Sequence, residues 1–218
     1  MKSDKLLDIQ IELGKVKKAL DKLRCDKAGG TDKLFSRLLI KLKEVICYPV
    51  TKIISESLCT GIVPDDWKTA NVTPIFKKGS RQRGENYRPV SLTSLIGKAC
   101  ETVIRDAILN HLDRHQLIVD SQYGFRKGGS CLGKLLQFLD AVTSGLDKNE
   151  CIDVVYLDFA KAFDKVPHER LLDKVNKHGI GGRVWLWIKE WLSGRKQRVC
   201  INGRCSNWTS VTSGVPQG

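Results

Sequence analysis

Apolar residues at Leu6, Ile9, Leu13, Val16, Leu20 and Leu23 recur at steps of three and four, with charged residues between them. That spacing predicts one amphipathic helix packed on its own domain. Ala28-Gly29-Gly30-Thr31-Asp32 breaks it, and Thr31 or Asp32 is placed to cap the helix that follows. Leu34, Leu38, Leu42, Val45, Ile46, Ile53, Ile54 and Leu58 mark that second helical region, which Pro49 should kink or split and Gly61 should end. Stretches 70–76 and 88–92 read as strands. Leu95, Ala99, Val103, Ala107, Ile108 and Leu112 then restore the helical period. Ser130 reads as the N-cap of a helix reaching 146. The run 152–157 is apolar and β-prone apart from Asp153, which predicts a short buried strand. Helices are expected at 169–177 and 183–192. Strands at 195–201 and 204–211 should meet at Asn202-Gly203, a strong hairpin signal. Helices and strands intermix and strands meet by hairpins, so the fold class is α+β.

Charge narrows the partners. The 218 residues carry a net charge of +13, which predicts an anionic partner, nucleic acid first. No apolar run approaches the roughly 18 residues of a membrane span, and Met1-Lys2-Ser3-Asp4-Lys5 lacks the apolar core of a signal peptide. The chain is therefore placed inside the cell, in cytoplasm or nucleus, with no membrane partner. Its eight cysteines are expected to be reduced there. Cys200 and Cys205 flank the hairpin and could face each other; the favoured reading is two small half-buried residues.

Several residues carry candidate chemistry. Asp158 ends the apolar run; it is either a rigidly held metal-binding carboxylate or an aspartate capping a turn. Asp164 follows the aromatic Phe163 and precedes Lys165-Val166-Pro167-His168, where a local role on backbone N–H groups is expected. His168 is read as structural. Lys77, Lys78, Arg81, Arg83 and Arg88 form a basic cluster opposed by Glu85. It either cradles phosphates or forms a solvated loop. Tyr123, Phe125 and Arg126 stand beside glycines, as a base-stacking cluster or as packing. Trp187 and Trp191 share a helix face as core anchors.

Taken in order, these pieces carry a resemblance. Gly61 to Lys68, Pro74-Ile75-Phe76-Lys77-Lys78-Gly79, Asn86 to Leu92, Gln122-Tyr123-Gly124-Phe125-Arg126, Leu157 to Asp164 and Ser213-Gly214-Val215-Pro216-Gln217-Gly218 resemble the reverse transcriptases of non-LTR retrotransposons, jockey-like elements in particular. The resemblance implies a right-hand polymerase. Residues 1–30 would be an N-terminal helical extension. Residues 31–218 would form the reverse transcriptase domain, as fingers and the first part of a palm, incomplete at its C-terminal side. It implies that Asp158 is the first catalytic, metal-binding carboxylate and that the Phe159 carbonyl adds a ligand. Lys77 and Arg88 would contact the incoming triphosphate, Phe163 would exclude a ribose 2′-OH, and Gln217 would bind nucleotide. Lys78, Arg81, Arg83, Tyr123, Phe125 and Arg126 would touch nucleic acid. The implied partners are an RNA template, a DNA primer and dNTP, and the implied cofactor of the complete enzyme is Mg2+.

Two departures stand out. The family shows a Pro-Gly-Pro-Asp-like run where this chain has Ala28-Gly29-Gly30-Thr31-Asp32. No aspartate here lies in a tyrosine-x-Asp-Asp context, and one carboxylate does not hold two mutually repelling ions. The chain alone is therefore expected to be inactive. The alternative reading is a catalytically dead RNA-binding remnant, or a fragment with no cellular role.

Overall fold

The computed structural model describes residues 5–25, 28–126 and 128–217. Residues 1–4, Asp26 and Lys27, Lys127 of the glycine-rich loop and Gly218 of the last motif lie outside the described residues. The elements are α1 (Leu13–Asp21), α2 (Ser36–Lys41), α3 (Lys43–Thr60), α4 (Asp65–Lys68), β1 (Thr69–Phe76), β2 (Tyr87–Leu92), α5 (Leu95–Arg114), α6 (Cys131–Asp147), α7 (His168–Lys177), α8 (Gly182–Leu192), β3 (Lys196–Ile201), β4 (Arg204–Cys205) and β5 (Thr209–Ser210). The result is a mixed architecture of helices and one mixed sheet, as the α+β expectation required. Two compact units divide it: one is Leu112–Ala160, and the other is formed by the described residues up to His111 together with those from Lys161 onward.

The larger unit holds the sheet, in the order β2-β1-β3-β4, with β5 also on β3. β1 and β2 run antiparallel, with Val72 opposite Ser91 and Phe76 opposite Tyr87. β1 and β3 run parallel, with Thr69 beside Lys196. Its core joins Val16 and Leu20 of α1, Ile54 of α3, Cys100 of α5, and Val184 and Trp187 of α8. Trp187 stacks on Trp191 with ring centroids 6.3 Å apart and donates its indole N–H to Ser57 Oγ at 2.9 Å. That bond satisfies the one polar group that burying an indole would otherwise strand. Among the described residues no helix is long and apolar enough to cross a membrane.

Several elements differ from their sequence reading. The first stripe is helical only from Leu13. Ahead of it Leu6 takes a backbone bond from Gly181 N–H and gives one to the Gly179 carbonyl, both at 2.9 Å. Extended chain therefore meets the turn before α8, while Ile9 still reaches the core. Pro49 sits inside α3 without splitting it; the break falls at Leu42, whose φ and ψ are −92° and 3°. Pro49 has no N–H for the Val45 carbonyl, but both residues face water, which replaces the lost bond. Neither Thr31 nor Asp32 caps α2. Phe35 holds the N-cap position without a side-chain bond, and Asp32 Oδ1 instead accepts from Leu34 N–H at 3.1 Å. Cys200 and Cys205 are not a reduced pair: directly opposed on β3 and β4, they form a disulfide. The expected strand 204–211 is interrupted between β4 and β5, where Ser206 N–H and Oγ bond β3 at Val199.

The run 152–157 is the largest correction. It forms no strand and is exposed throughout, Leu157 at 90%. A strand buried on both faces exists only where neighbours supply its ladder, and among the described residues none pairs with this one. It lies back along α6 instead. Ile152 packs over Gly145, where any Cβ would lie 2.6 Å from Ile152 Cδ1, and Tyr156 approaches Phe138 with ring centroids 6.2 Å apart. Ser130 caps α6 as expected, its Oγ accepting from Gly133 N–H at 2.9 Å.

Candidate functional site

In the larger unit two distant segments, 163–168 and 213–217, are bound to each other. Val215 N–H donates to the Phe163 carbonyl at 3.0 Å, and Gly214 N–H to the Val166 carbonyl at 2.9 Å. His168 Nε2 is 2.8 Å from the Gly214 carbonyl, which is the structural role expected of it. Ser213 Oγ donates to the Asp164 carbonyl at 3.3 Å. Gly214 is required there: its φ is +84°, and a Cβ would stand 2.6 Å from the Asp164 carbonyl oxygen. The Gln217 side chain donates from Nε2 to Asp164 Oδ1 at 2.9 Å, and its carbonyl accepts from Ser91 N–H at 2.6 Å. Ser91 lies on β2, an end strand of the sheet order, so Gln217 is fastened along that edge. Asp164 thus serves a side chain 53 residues away, not the N-terminus of α7, whose cap position is Pro167 without a side-chain bond. Phe163 remains 43% exposed beside this clamp.

β2 also carries Arg88, opposite Ile75, and the loop joining it to β1 carries the other cations. Lys77 N–H closes the hairpin on the Asn86 carbonyl at 2.9 Å. Asn86 Nδ2 bonds the Ser80 carbonyl and Tyr87 Oη the Arg81 carbonyl, each at 2.8 Å. The loop is therefore held by its own bonds. Arg81 lies 5.1 Å over the Phe76 ring, and Arg83 meets Glu85 at 3.3 Å. Lys77, Lys78, Arg81, Arg83 and Arg88 are all exposed. One acidic partner for five cations leaves a strongly positive loop, which suits phosphate.

The smaller unit carries the remaining candidates. Phe125 is 86% exposed with φ +59°, so it is displayed and does not fill a core. Arg126 Nη1 bonds Asp120 Oδ1 at 3.1 Å, and Lys134 sits 5.3 Å over the Tyr123 ring. Asp158 and Phe159 are exposed on the segment without a ladder. Oxygen donors of this kind suit magnesium. A two-metal centre is another matter: among the described residues no group of three or more His, Cys, Asp or Glu could hold an ion. The residues described do not by themselves fit a metal pair.

A buried polar cluster gave no signal in the sequence. Trp191 Nε1 donates to Glu101 Oε1 at 3.0 Å, and the Arg195 guanidinium, in a residue only 3% exposed, lies 4.6 Å over the Trp191 ring. Burial pushes the Glu101 carboxyl above the ordinary carboxylate range, opposed by Arg195 and the Trp191 bond. Glu101 and Trp191 line a cavity of about 610 Å3, mostly apolar, with Leu23, Ile104 and Ile108. Its apolar walls make it a gap in helix packing and not the place for a triphosphate.

A mixed sheet with a basic hairpin and a clamped edge defines the class, an α+β domain with a positively charged loop. The sequence pattern of the family described as reverse transcriptase (RNA-dependent DNA polymerase) matches residues 75–218. The chain belongs to the reverse transcriptase family. It is 30% identical over 209 residues to the RNA-directed DNA polymerase from mobile element jockey of Drosophila melanogaster, covering 95% of this chain and 23% of that protein. The corresponding protein of Drosophila funebris is 31% identical over 209 residues, with coverage of 95% and 23%. The probable RNA-directed DNA polymerase from transposon BS of Drosophila melanogaster is 27% identical over 215 residues, again at 95% and 23%. The jockey-like, non-LTR resemblance is borne out. The chain spans about a quarter of the length of these relatives.

Proposed function

We propose that this chain is the nucleotide-receiving portion of a non-LTR retrotransposon RNA-directed DNA polymerase. Residues 31–218 form its reverse transcriptase domain, as fingers and the beginning of the palm, and α1 of the preceding segment packs into the same core. The observation that supports this most is the clamp that fastens Gln217 to Asp164 and to β2, with the Phe163 backbone bonded into it. In the complete enzyme the reaction is template-directed addition of dNTP to a primer 3′-OH, by two-metal catalysis. Lys77 and Arg88 bind the triphosphate as cationic donors. Phe163 sets the room at the sugar 2′ position, and Gln217 binds the sugar side. Lys78, Arg81 and Arg83 hold the nucleic-acid backbone, while Tyr123, Phe125 and Arg126 contact template by stacking and charge. Asp158 and the Phe159 carbonyl offer oxygen ligands to Mg2+, which supplies charge neutralisation at the phosphates when bound.

Two metal ions close together need more carboxylates than the described residues bring together. The 218-residue polypeptide is therefore expected to bind dTTP without extending a primer on an RNA template. Lys77→Ala and Arg88→Ala should each weaken dTTP binding about tenfold, the worth of one charge-assisted hydrogen bond. Absence of any dTTP binding would overturn the reading. Incorporation above background that disappears in Asp158→Ala would overturn the inactivity.

A second reading, a catalytically dead RNA-binding remnant, is favoured by the net charge of +13 and by the lack, among the described residues, of a carboxylate group that could hold an ion. RNA binding with no affinity for dTTP would select it.

A further inference from the structure

We propose that the cavity lined by α1, β2, α5 and α8 is a binding site for a free fatty acid, with the aliphatic tail inside and the carboxylate at the mouth. The inference is independent of the nucleotide reading above.

At about 610 Å3 the cavity falls in the size range of small-molecule sites, roughly 300–1,000 Å3. All of its lining residues belong to the larger unit. Its walls are formed by Leu23 after α1, Leu92 of β2, Ile104 and Ile108 of α5, and Ile188 of α8. Leu23, Leu92, Ile108 and Ile188 are only half-buried, so this wall is wetted apolar surface that a hydrocarbon tail would cover. The Trp191 ring already meets Trp187 and Arg195, which leaves a wall that is mainly aliphatic.

The mouth selects the head group. Lys22, Arg24 and Arg105 line the cavity and are exposed, and Lys98 stands with them half-buried. Asp106 meets Lys22 at 3.0 Å and Arg105 at 2.7 Å, one carboxylate for two cations. Glu101 is the one acidic residue among the described lining residues. It accepts from Trp191, and burial raises its carboxyl above the ordinary range, which favours its uncharged form. Four cations against these two acids leave a positive field, which attracts an anion and repels an ammonium. A carboxylate on a hydrocarbon tail matches both the mouth and the interior.

The test is equilibrium dialysis of the 218-residue chain against dodecanoate, dodecanol and dodecylammonium, each below the concentration at which it forms micelles. One dodecanoate should bind per chain, about fivefold more tightly than dodecanol, with dodecylammonium the weakest. Ile108→Trp puts a larger side chain on the cavity wall and should weaken dodecanoate about tenfold while cooperative melting is kept. If that variant does not fold, the exposed pair Arg24→Glu with Arg105→Glu decides, and the preference should turn towards dodecylammonium. Leu135→Lys with Leu139→Lys, on the exposed apolar side chains of α6, should leave dodecanoate binding within about twofold. Absence of dodecanoate binding, or binding indifferent to the head group, overturns the proposal. So does unchanged binding in a folded Ile108→Trp, an unchanged preference in the double Glu variant, or loss of binding in the α6 variant.

Discussion

Glu101 shows how a single buried group can govern the response to pH. Its carboxyl is raised above the ordinary value of 4.5 by burial, against the pull of Arg195 and the Trp191 hydrogen bond. Above pH 4.5 the folded chain therefore holds this proton more firmly than the unfolded chain does. The contribution to stability is complete below that value and is lost as pH rises through the folded pKa. Glu101→Gln keeps an acceptor for the Trp191 indole but does not titrate. Its melting temperature should decline less than that of the parent between pH 4.5 and neutrality, which calorimetry at several pH values will measure. A steeper decline would mean that the electrostatic pull of Arg195 outweighs desolvation. At this scale the sequence is legible where a residue acts through its neighbours in the chain. Ser130 as an N-cap, Gly61 at φ +73° ending α3, and Asn202-Gly203 at a turn are all local. Asp164 looks local in the sequence because its partner is 53 residues away, and Glu101 gives no signal because its meaning depends on Trp191 and Arg195 arriving from elsewhere.

Among the elements, helices are more legible than strands. A helical stripe carries its own hydrogen bonds, so α5, α6, α7 and α8 follow from periodicity with ends shifted by a residue or so. A strand borrows its bonds from neighbours. β1 and β2 have each other through a short hairpin and form as expected, whereas 152–157 has no ladder partner. The β1–β2 loop is the element on which RNA affinity should depend. Replacing Lys77, Lys78, Arg81 and Arg83 together by Ala should weaken binding to single-stranded RNA. The slope of log affinity against log salt should flatten by about 0.7 for each phosphate that is no longer neutralised. Binding titrations at several salt concentrations would show this. An unchanged slope would place the nucleic-acid footprint elsewhere.

On the scale of the whole molecule, charge and family are the legible properties. The ordered motifs point to the reverse transcriptase family, with which the match over 75–218 agrees, and the net charge of +13 is read without any fold. The division into two units is not legible, since no linker or change of composition marks Leu112–Ala160. That smaller unit leaves Leu132, Leu135, Leu136 and Leu139 of α6 exposed, along with Val155, Tyr156 and Leu157.

The unladdered run has a colloidal consequence. Val154, Val155, Tyr156 and Leu157, four consecutive β-prone residues outside any ladder, form a template onto which another chain can zip. Repulsion between molecules of like charge opposes that encounter, and salt removes the repulsion. Self-association should therefore grow with both protein concentration and ionic strength, the opposite salt response to RNA binding. Light scattering will follow it, and Val155→Lys with Leu157→Lys should keep the protein monodisperse where the parent is not. If the double variant scatters as strongly as the parent, the sticky surface is another one.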